Sequence, residues 1–330
     1  MIITRTPLRV SLVGGGSDLP AFYLEEPGAV VTTAIRKYIY ITVNRKFESG
    51  IRASYSITEL VDSVGEVRHD LIRESLRKLQ LEGGIEITSI SDIPSQGTGL
   101  GSSSCYTVGL LKALYAHCNQ HVGAERLARE ACEIEIDCLQ KPIGKQDQYI
   151  AAYGGLRYFR FHPDGSVFVE PVMCSTATRQ ALETQALLFY TGITRSANPI
   201  LAEQQQSLTN GRRRRALRRL VQLADELRRA LAGNDLEAFG EILHESWIVK
   251  KAMANGVSSG QIDDWYDRAR AQGATGGKIT GAGGGGFLLL YAPAERHAAI
   301  VSALPELRRV SFGFESQGSS IIYVEESESA

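Results

Sequence analysis

No stretch of this chain approaches the ~18 consecutive apolar residues of a bilayer-spanning helix, so no helical membrane segment is expected. The opening segment, Met1 to Gly16, lacks the basic, apolar and small-residue succession of a secretory leader. Five cysteines, Cys105, Cys118, Cys132, Cys138 and Cys174, form an odd set without CxxC spacing, which disfavours a disulfide framework. Most of them read as small buried hydrophobes, in a reduced, cytoplasmic protein. His117 and His121 stand four apart but have no carboxylate or cysteine beside them, so no structural metal is expected there. Excess charge of either sign is missing too: 36 Lys and Arg face 37 Asp and Glu, for a net charge of −1. That balance argues against nucleic acid as the main partner. Proline is scarce, at 10, and glycine follows no Gly-X-Y period, which excludes collagen and low-complexity chains.

Glycine is what the chain has in plenty. There are 33, where ordinary usage of ~7% would give about 23. Thirteen of the 33 fall in three clusters, at 14–16, 97–101 and 276–286, so the surplus is local. The 330 residues are 43% hydrophobic, enough for roughly two domains with cores of their own.

The patterning is α+β. Residues 1–47 alternate in the strand manner, as from Tyr38 to Val43. Helices are expected over His69–Leu81, Ser103–Cys118 and Ala124–Leu139, and strands over 85–90, 156–161 and 167–172. The segment His162 to Ser166 is a hairpin signal. Beyond a boundary near 173–180, a strand at 186–191 leads into helices at 199–231, 235–255 and 260–272. Apolar strands at 286–291 and 320–324 flank a helix near 294–304. The run Arg212 to Arg215, with Arg218-Arg219 and Arg228-Arg229, alternates with Leu217, Leu220, Val221, Ala224, Leu227 and Leu231 at helical spacing. It reads as an amphipathic helix with a solvated basic face, and it lacks aromatics for base stacking.

Each glycine cluster has a chemical reading. Gly14-Gly15-Gly16 ends a strand and precedes Ser17-Asp18, where backbone can pass close to a ligand and Asp18 can accept substrate hydroxyls. Residues 94–104 alternate Gly97, Gly99 and Gly101 before Ser102, Ser103 and Ser104 at the start of a helix. Such a loop turns several N–H groups toward one point at a helix N-terminus, which suits phosphate. The third cluster nearly imitates a Walker A loop and fails, with Gln272 at the first glycine and Ile279 after Gly277-Lys278. A dinucleotide fingerprint fails as well, because the strand follows these glycines instead of preceding them.

Taken together, Pro7 to Asp18, Pro94 to Ser104 and Lys278 to Phe287 resemble, in order and spacing, the three motifs of the GHMP kinases. That superfamily includes galactokinase, homoserine kinase, mevalonate kinase and phosphomevalonate kinase. Within it the chain most resembles the D-glycero-D-manno-heptose 7-phosphate kinases, through residues 4–20, Gly144 to Leu156 and Leu187 to Ala197. The resemblance implies a two-domain fold, with a ribosomal-protein-like α/β domain at 1–176 and a ferredoxin-like domain at 177–330. ATP and acceptor would meet between them.

The resemblance also implies roles. Asp147 matches the catalytic aspartate that orients the acceptor hydroxyl and takes its proton. Arg9 matches a basic residue that lies near it and stabilises the nascent alkoxide. Gly97, Gly99, Leu100, Gly101, Ser102, Ser103 and Ser104 would bind ATP, and Ser103 with Glu135 would hold Mg²⁺. By sequence alone Glu133 rivals Glu135. The acceptor, a sugar phosphate, would meet Gly15, Gly16, Ser17, Asp18, Asp147, Gly192, Arg195, Gly283 and Gly284. Of these, Arg195 is the candidate for the substrate phosphate, with Lys37 and Lys145 as alternatives. Gly15 and Gly16 stand where galactokinase has Glu and His, which disfavours galactose. The adenine pocket would draw on residues 45–63. Neither nucleic acid nor membrane is an expected partner, whereas self-association is compatible with the pattern. Kinases for other sugars, and a non-catalytic regulator on the same fold, stay open at this point.

Overall fold

The computed structural model describes residues 1–94, 97–194, 211–254 and 256–325. Its larger sheet has eight strands in the order β12-β1-β2-β5-β3-β4, with β6 pairing β2 and β7. Here β1 is Ile2–Val13, β2 Gly28–Arg45, β3 Ile51–Ser54, β4 Thr58–Val61 and β5 Ile85–Ser91. β6 is Leu156–Phe161, β7 Val167–Pro171 and β12 Ser320–Val324. Along the edge away from β1, the long β2 serves two partners: Gly28–Thr33 pairs with β6, and Ile39–Arg45 with β5. The β1–β2 ladder slips in register between Pro7 and Leu8 and again between Ser11 and Val13. Proline has no N–H to give the ladder, so a bulge beside Pro7 is expected. The two irregularities bracket Arg9 and help aim its side chain.

Helix α1 is Pro20–Tyr23 and α2 is Asp70–Lys78. Helix α3, Ser102–His117, is buried on most sides. It reaches β1 through Gly109, where a Cβ would lie 2.5 Å from Thr6 Oγ1. The helix expected over 124–139 is α-helical only for Ala124–Cys132 (α4) and continues as a π-helix over Glu133–Cys138. Helix α5, Gln146–Tyr153, follows, and α6 is Thr176–Gln185.

The second sheet is antiparallel, β11-β8-β10-β9. β8 is Ala186–Tyr190, β9 Gly276–Ile279, β10 Phe287–Tyr291 and β11 Arg308–Arg309. Around it lie α7 (Gly211–Ala232), α8 (Leu236–Lys251), α9 (Gly260–Ala271) and α10 (His297–Ala303). A small core of Phe189, Trp247, Trp265, Tyr266, Ile279 and Leu288 belongs to this half. The larger core runs from the big sheet into α7 through Leu217, Leu220, Leu223, Leu227 and Leu231. Each such leucine contributes ~1.5–3 kcal/mol of burial, against ~0–1 for an exposed ion pair, so the apolar stripe holds the helix.

Three expectations need revising. The basic face of α7 is extensively ion-paired. Arg214 and Arg218 grip Glu26 just after α1, Arg214 also reaches Glu25 at 2.6 Å, and Arg228 meets Glu170 at 2.8 Å. Gly276-Gly277-Lys278-Ile279, expected within a loop, is strand β9. Finally, residues 320–324 of the expected second domain pair with β1 in the first sheet.

Candidate active site

The centre of the site is an ion pair built by three elements. Arg9 leaves β1 and grips Asp147, in the first turn of α5, with Nε and Nη2 each 2.6 Å from a carboxylate oxygen. Its third arm, Nη1, donates to Gly99 O at 2.6 Å, and its own N–H donates to Leu100 O at 3.1 Å. Burial alone would lower the pKa of Arg9, but the Asp147 carboxylate outweighs it and holds the guanidinium above its ordinary value. The pair is directional: Arg9 is 5% exposed and Asp147 21%, so the carboxylate keeps the open side.

The loop before α3 adopts the conformation its glycines allow. Gly97, Gly99 and Gly101 all have left-handed φ, of +69°, +70° and +78°. Gly101 is the N-cap of α3 and brings no capping side chain, which leaves the first N–H groups of the helix available to an anion. Ser103 is exposed, Ser104 is buried, and the Ser102 hydroxyl lies 3.3 Å from that of Thr98. The Leu100 side chain is fully buried, so any ligand contact there is through backbone.

Glu135 is fully buried in the π-helical stretch, a distortion that recurs at functional sites. Its Oε1 accepts from Ser103 Oγ at 2.6 Å and its Oε2 from Gln148 Nε2 at 2.8 Å. Burial is the largest influence and raises its pKa, against the pull of Lys141, Ser103 and Gln148. The rival Glu133 points elsewhere, into pairs with Lys78 at 2.7 Å and Arg129 at 2.8 Å. A carboxylate and a hydroxyl this close are an oxygen pair of the kind that suits Mg²⁺, a hard cation that keeps much of its water.

On the acceptor side the expected residues divide. Gly14 and Gly16 take φ of +94° and +105°. A Cβ on Gly15 would meet Ser11 Oγ at 3.3 Å and Gln146 Nε2 at 3.4 Å. Ser17 is fully buried, and its hydroxyl is consumed by Gly14 O and by both backbone groups of Ala29. It shapes the turn, and its hydroxyl is not free for the ligand contact expected of it. Asp18, 3% exposed, accepts from Gly16 N at 2.9 Å and Gln146 N at 3.3 Å, bracing the first loop against α5. Burial, helped by the charge of Asp147, raises its pKa.

Gly284 N–H donates to Val257 O at 2.8 Å, so that amide is not free for a substrate phosphate, contrary to expectation. Gly283, at φ +101°, packs on the same Val257 carbonyl, which a Cβ would approach to 2.7 Å. Gly192, at φ +72°, has open space beside it. Arg195 lies outside the described residues. Lys145 is spent on Gly165 O at 2.8 Å and on the face of Tyr23.

Sequence reasoning missed several groups here. Ser11 Oγ, Gln146 Oε1 and Gln148 Oε1 are buried without a hydrogen-bond partner among the described residues, the state of groups that await a ligand or water. Two buried lysines also reach the site from the second half: Lys278 donates to Leu12 O at 3.1 Å, and Lys250 to Gly281 O at 2.5 Å. The Gly277-Lys278 pair was a signal, misleading only because the loop failed as a Walker motif. Lys250 ends an ordinary-looking helix and gave none.

A carboxylate aimed by a guanidinium beside an anion-ready loop and an oxygen pair for a cation can perform phosphoryl transfer. Comparison with known proteins agrees. Residues 67–155 match the GHMP kinases N terminal domain, and 214–308 match GHMP kinases C terminal. D-glycero-alpha-D-manno-heptose 7-phosphate kinase of Campylobacter jejuni is 30% identical over 92% of this chain and 93% of its own. The crystal structure of a D-glycero-D-manno-heptose 1-phosphate kinase from Bacteroides thetaiotaomicron superposes with a TM-score of 0.80 at 27% identity, covering 99% and 100% of the two chains. The bifunctional fucokinase/GDP-fucose pyrophosphorylase of Arabidopsis thaliana is 26% identical over 87% of this chain but only 29% of its own length. By its two matched domains, its fold and this full-length likeness, the chain belongs to the GHMP kinase family and is a sugar kinase.

Proposed function

We propose that the protein transfers the γ-phosphoryl group of ATP to the anomeric hydroxyl of D-glycero-D-manno-heptose 7-phosphate, yielding the 1,7-bisphosphate and ADP. The product would feed the synthesis of nucleotide-activated heptose for surface polysaccharide. The observation that carries the chemistry is the doubly bonded Arg9–Asp147 pair against Gly99 O. The choice of sugar rests on the likeness to the heptose phosphate kinases.

The acceptor lies against Gly15, Gly16 and Asp147. Asp147 Oδ takes the hydroxyl proton as the sugar oxygen bonds to the γ-phosphorus and the bond from that phosphorus to the ADP oxygen breaks. An anomeric hydroxyl is more acidic than other sugar hydroxyls, so a carboxylate suffices as base. Arg9 faces the charge that develops on the acceptor oxygen. Ser103 and Glu135 would hold Mg²⁺, which supplies charge neutralisation at the ATP phosphates. The N–H groups at the start of α3 cradle those phosphates.

The test is ADP release across a panel of heptose 7-phosphate, heptose, fucose and galactose, with Asp147→Asn beside the native protein. We expect turnover only with the 7-phosphate, and a loss of ~10³-fold in the variant with ATP affinity kept. Turnover of fucose instead would support the second reading favoured by the fucokinase likeness. Full turnover by Asp147→Asn would remove the catalytic assignment.

A further inference from the structure

Lys250 lies in the last turn of α8, in the second half of the molecule, and is 5% exposed. Burying an ammonium is costly, and a lysine kept there needs a strong partner. Its partner is the carbonyl of Gly281, at 2.5 Å. Gly281 turns the chain after β9 at φ +64°, and a Cβ on it would lie 2.6 Å from Gly99 Cα, so the two backbones touch. Gly99 O in turn seats Arg9 Nη1, and Arg9 grips Asp147. A continuous line of contacts therefore runs from α8 to the carboxylate.

We propose that Lys250 is a positioning residue for phosphoryl transfer: its ammonium holds the Gly281 turn against Gly99 and thereby fixes the carbonyl that seats Arg9 beside Asp147. The residue acts on the reaction through the backbone of the second half, which makes the first domain's catalytic pair dependent on the second domain's helix.

The charges around Lys250 come from four elements. Burial is the largest influence and lowers its pKa to about 8. Arg9 from β1 pushes the same way, while Asp18 after β1 and Asp147 from α5 oppose it. Lys278 from β9 is a second buried amine, held well below its ordinary pKa by burial and by Lys250. Between pH 7 and 9 Lys250 thus passes from ammonium to amine, and a charge-assisted bond becomes an ordinary one of roughly half the strength. Stability moves the other way. An unfolded lysine titrates near ~10.4, so between about 8 and that value the unfolded chain binds more protons and Lys250 makes the fold more stable as pH rises. Weakened turnover without weakened folding is the signature of the clamp.

Two measurements test it on the full chain with Lys250→Met and Lys250→Arg. Hydrogen exchange, corrected for the intrinsic pH effect, is read without substrate in peptides covering 97–101 and 280–286. Turnover is read from pH 6.5 to 9.5 with ATP and heptose 7-phosphate. We expect the native protein to exchange faster in both segments above pH 8 and its kcat to fall several-fold there. Lys250→Met should show the fast exchange at every pH and a kcat lower by ~10–100-fold, with the KM for ATP within ~3-fold. Lys250→Arg, charged throughout, should restore protection and remove the alkaline fall. Native exchange in Lys250→Met, or an unchanged alkaline fall in Lys250→Arg, would overturn the proposal. So would a flat native exchange profile across pH 8, which decides the matter even if arginine does not fit. Only the kinetic arm rests on the sugar-kinase reading. If no sugar releases ADP, that reading fails while the exchange data still judge the clamp.

Discussion

The loops at 97–101 and 281–286 are both glycine-rich and both mostly left-handed, yet they spend that freedom in opposite directions. The first takes its turns to leave α3 uncapped and to carry Gly99 O and Leu100 O to Arg9. The second uses up its own backbone groups: Gly284 N–H donates to Val257 O and Gly286 N–H to Ile193 O, while Gly286 O accepts from the N–H and hydroxyl of Thr191. A Cβ on Gly286 would lie 2.3 Å from Thr98 O. The second loop is therefore a bearing surface for the first, and its glycines mark where backbone meets backbone. Glycine content shows that a chain must be approached closely, and only geometry says by what.

That contrast can be broken experimentally. The largest effect is expected from Gly286→Ala, which combines a φ of +84° with the collision on Thr98 O. It should cost ~3 kcal/mol or more and lower Tm by about 4 °C or more in a thermal melt. Gly101→Ala comes next. Its Cβ would meet Arg9 Cγ at 3.2 Å and Asp147 Oδ2 at 3.3 Å, contacts that displace the pair without a clash of backbone. Turnover should fall by about 100-fold with Tm lowered by only about 1–3 °C, because small misplacements at a reacting centre weigh heavily. Gly84→Ala, in the turn before β5, is the smallest. Nothing lies near its Cβ, so only the left-handed strain of ~1 kcal/mol remains, and kcat should stay within ~2-fold. A reversal of the first two, with Gly286→Ala losing activity but no stability, would erase the distinction between the loops.

Much of this architecture was legible in the residues because its signals are local. Helices α3 and α9, the His162–Ser166 turn and strands β6 and β8 declare themselves by periodicity, caps and turn chemistry over a few residues. What stayed hidden depends on distant partners. Strand β9 reads as loop because Gly276 and Gly277 carry no strand pattern. They are glycines because a Cβ at either would strike backbone, Gly240 O at 2.2 Å or Leu289 O at 2.5 Å. The family likeness already pointed to Glu135, but what separates it physically from Glu133, a bond from Ser103 for the one and a pair with Lys78 for the other, depends on the folded chain. The Arg9–Asp147 pair was expected from the family likeness, but its third contact, Gly99 O, was not. The buried lysines escaped because lysine at a helix end or after glycine is ordinarily a surface residue.

Strand β12 bears on how the protein is made. Residues 320–324 pair with residues 2–5 of β1, across almost every element described above. During synthesis the outer side of β1 therefore waits, unpaired at Ile2 to Arg5, until residues 320–324 have left the ribosome. The first domain has its helices and most of its sheet long before that, but its edge stays open to other strands throughout. A nascent chain stalled before residue 320 would expose that edge for as long as the stall lasted.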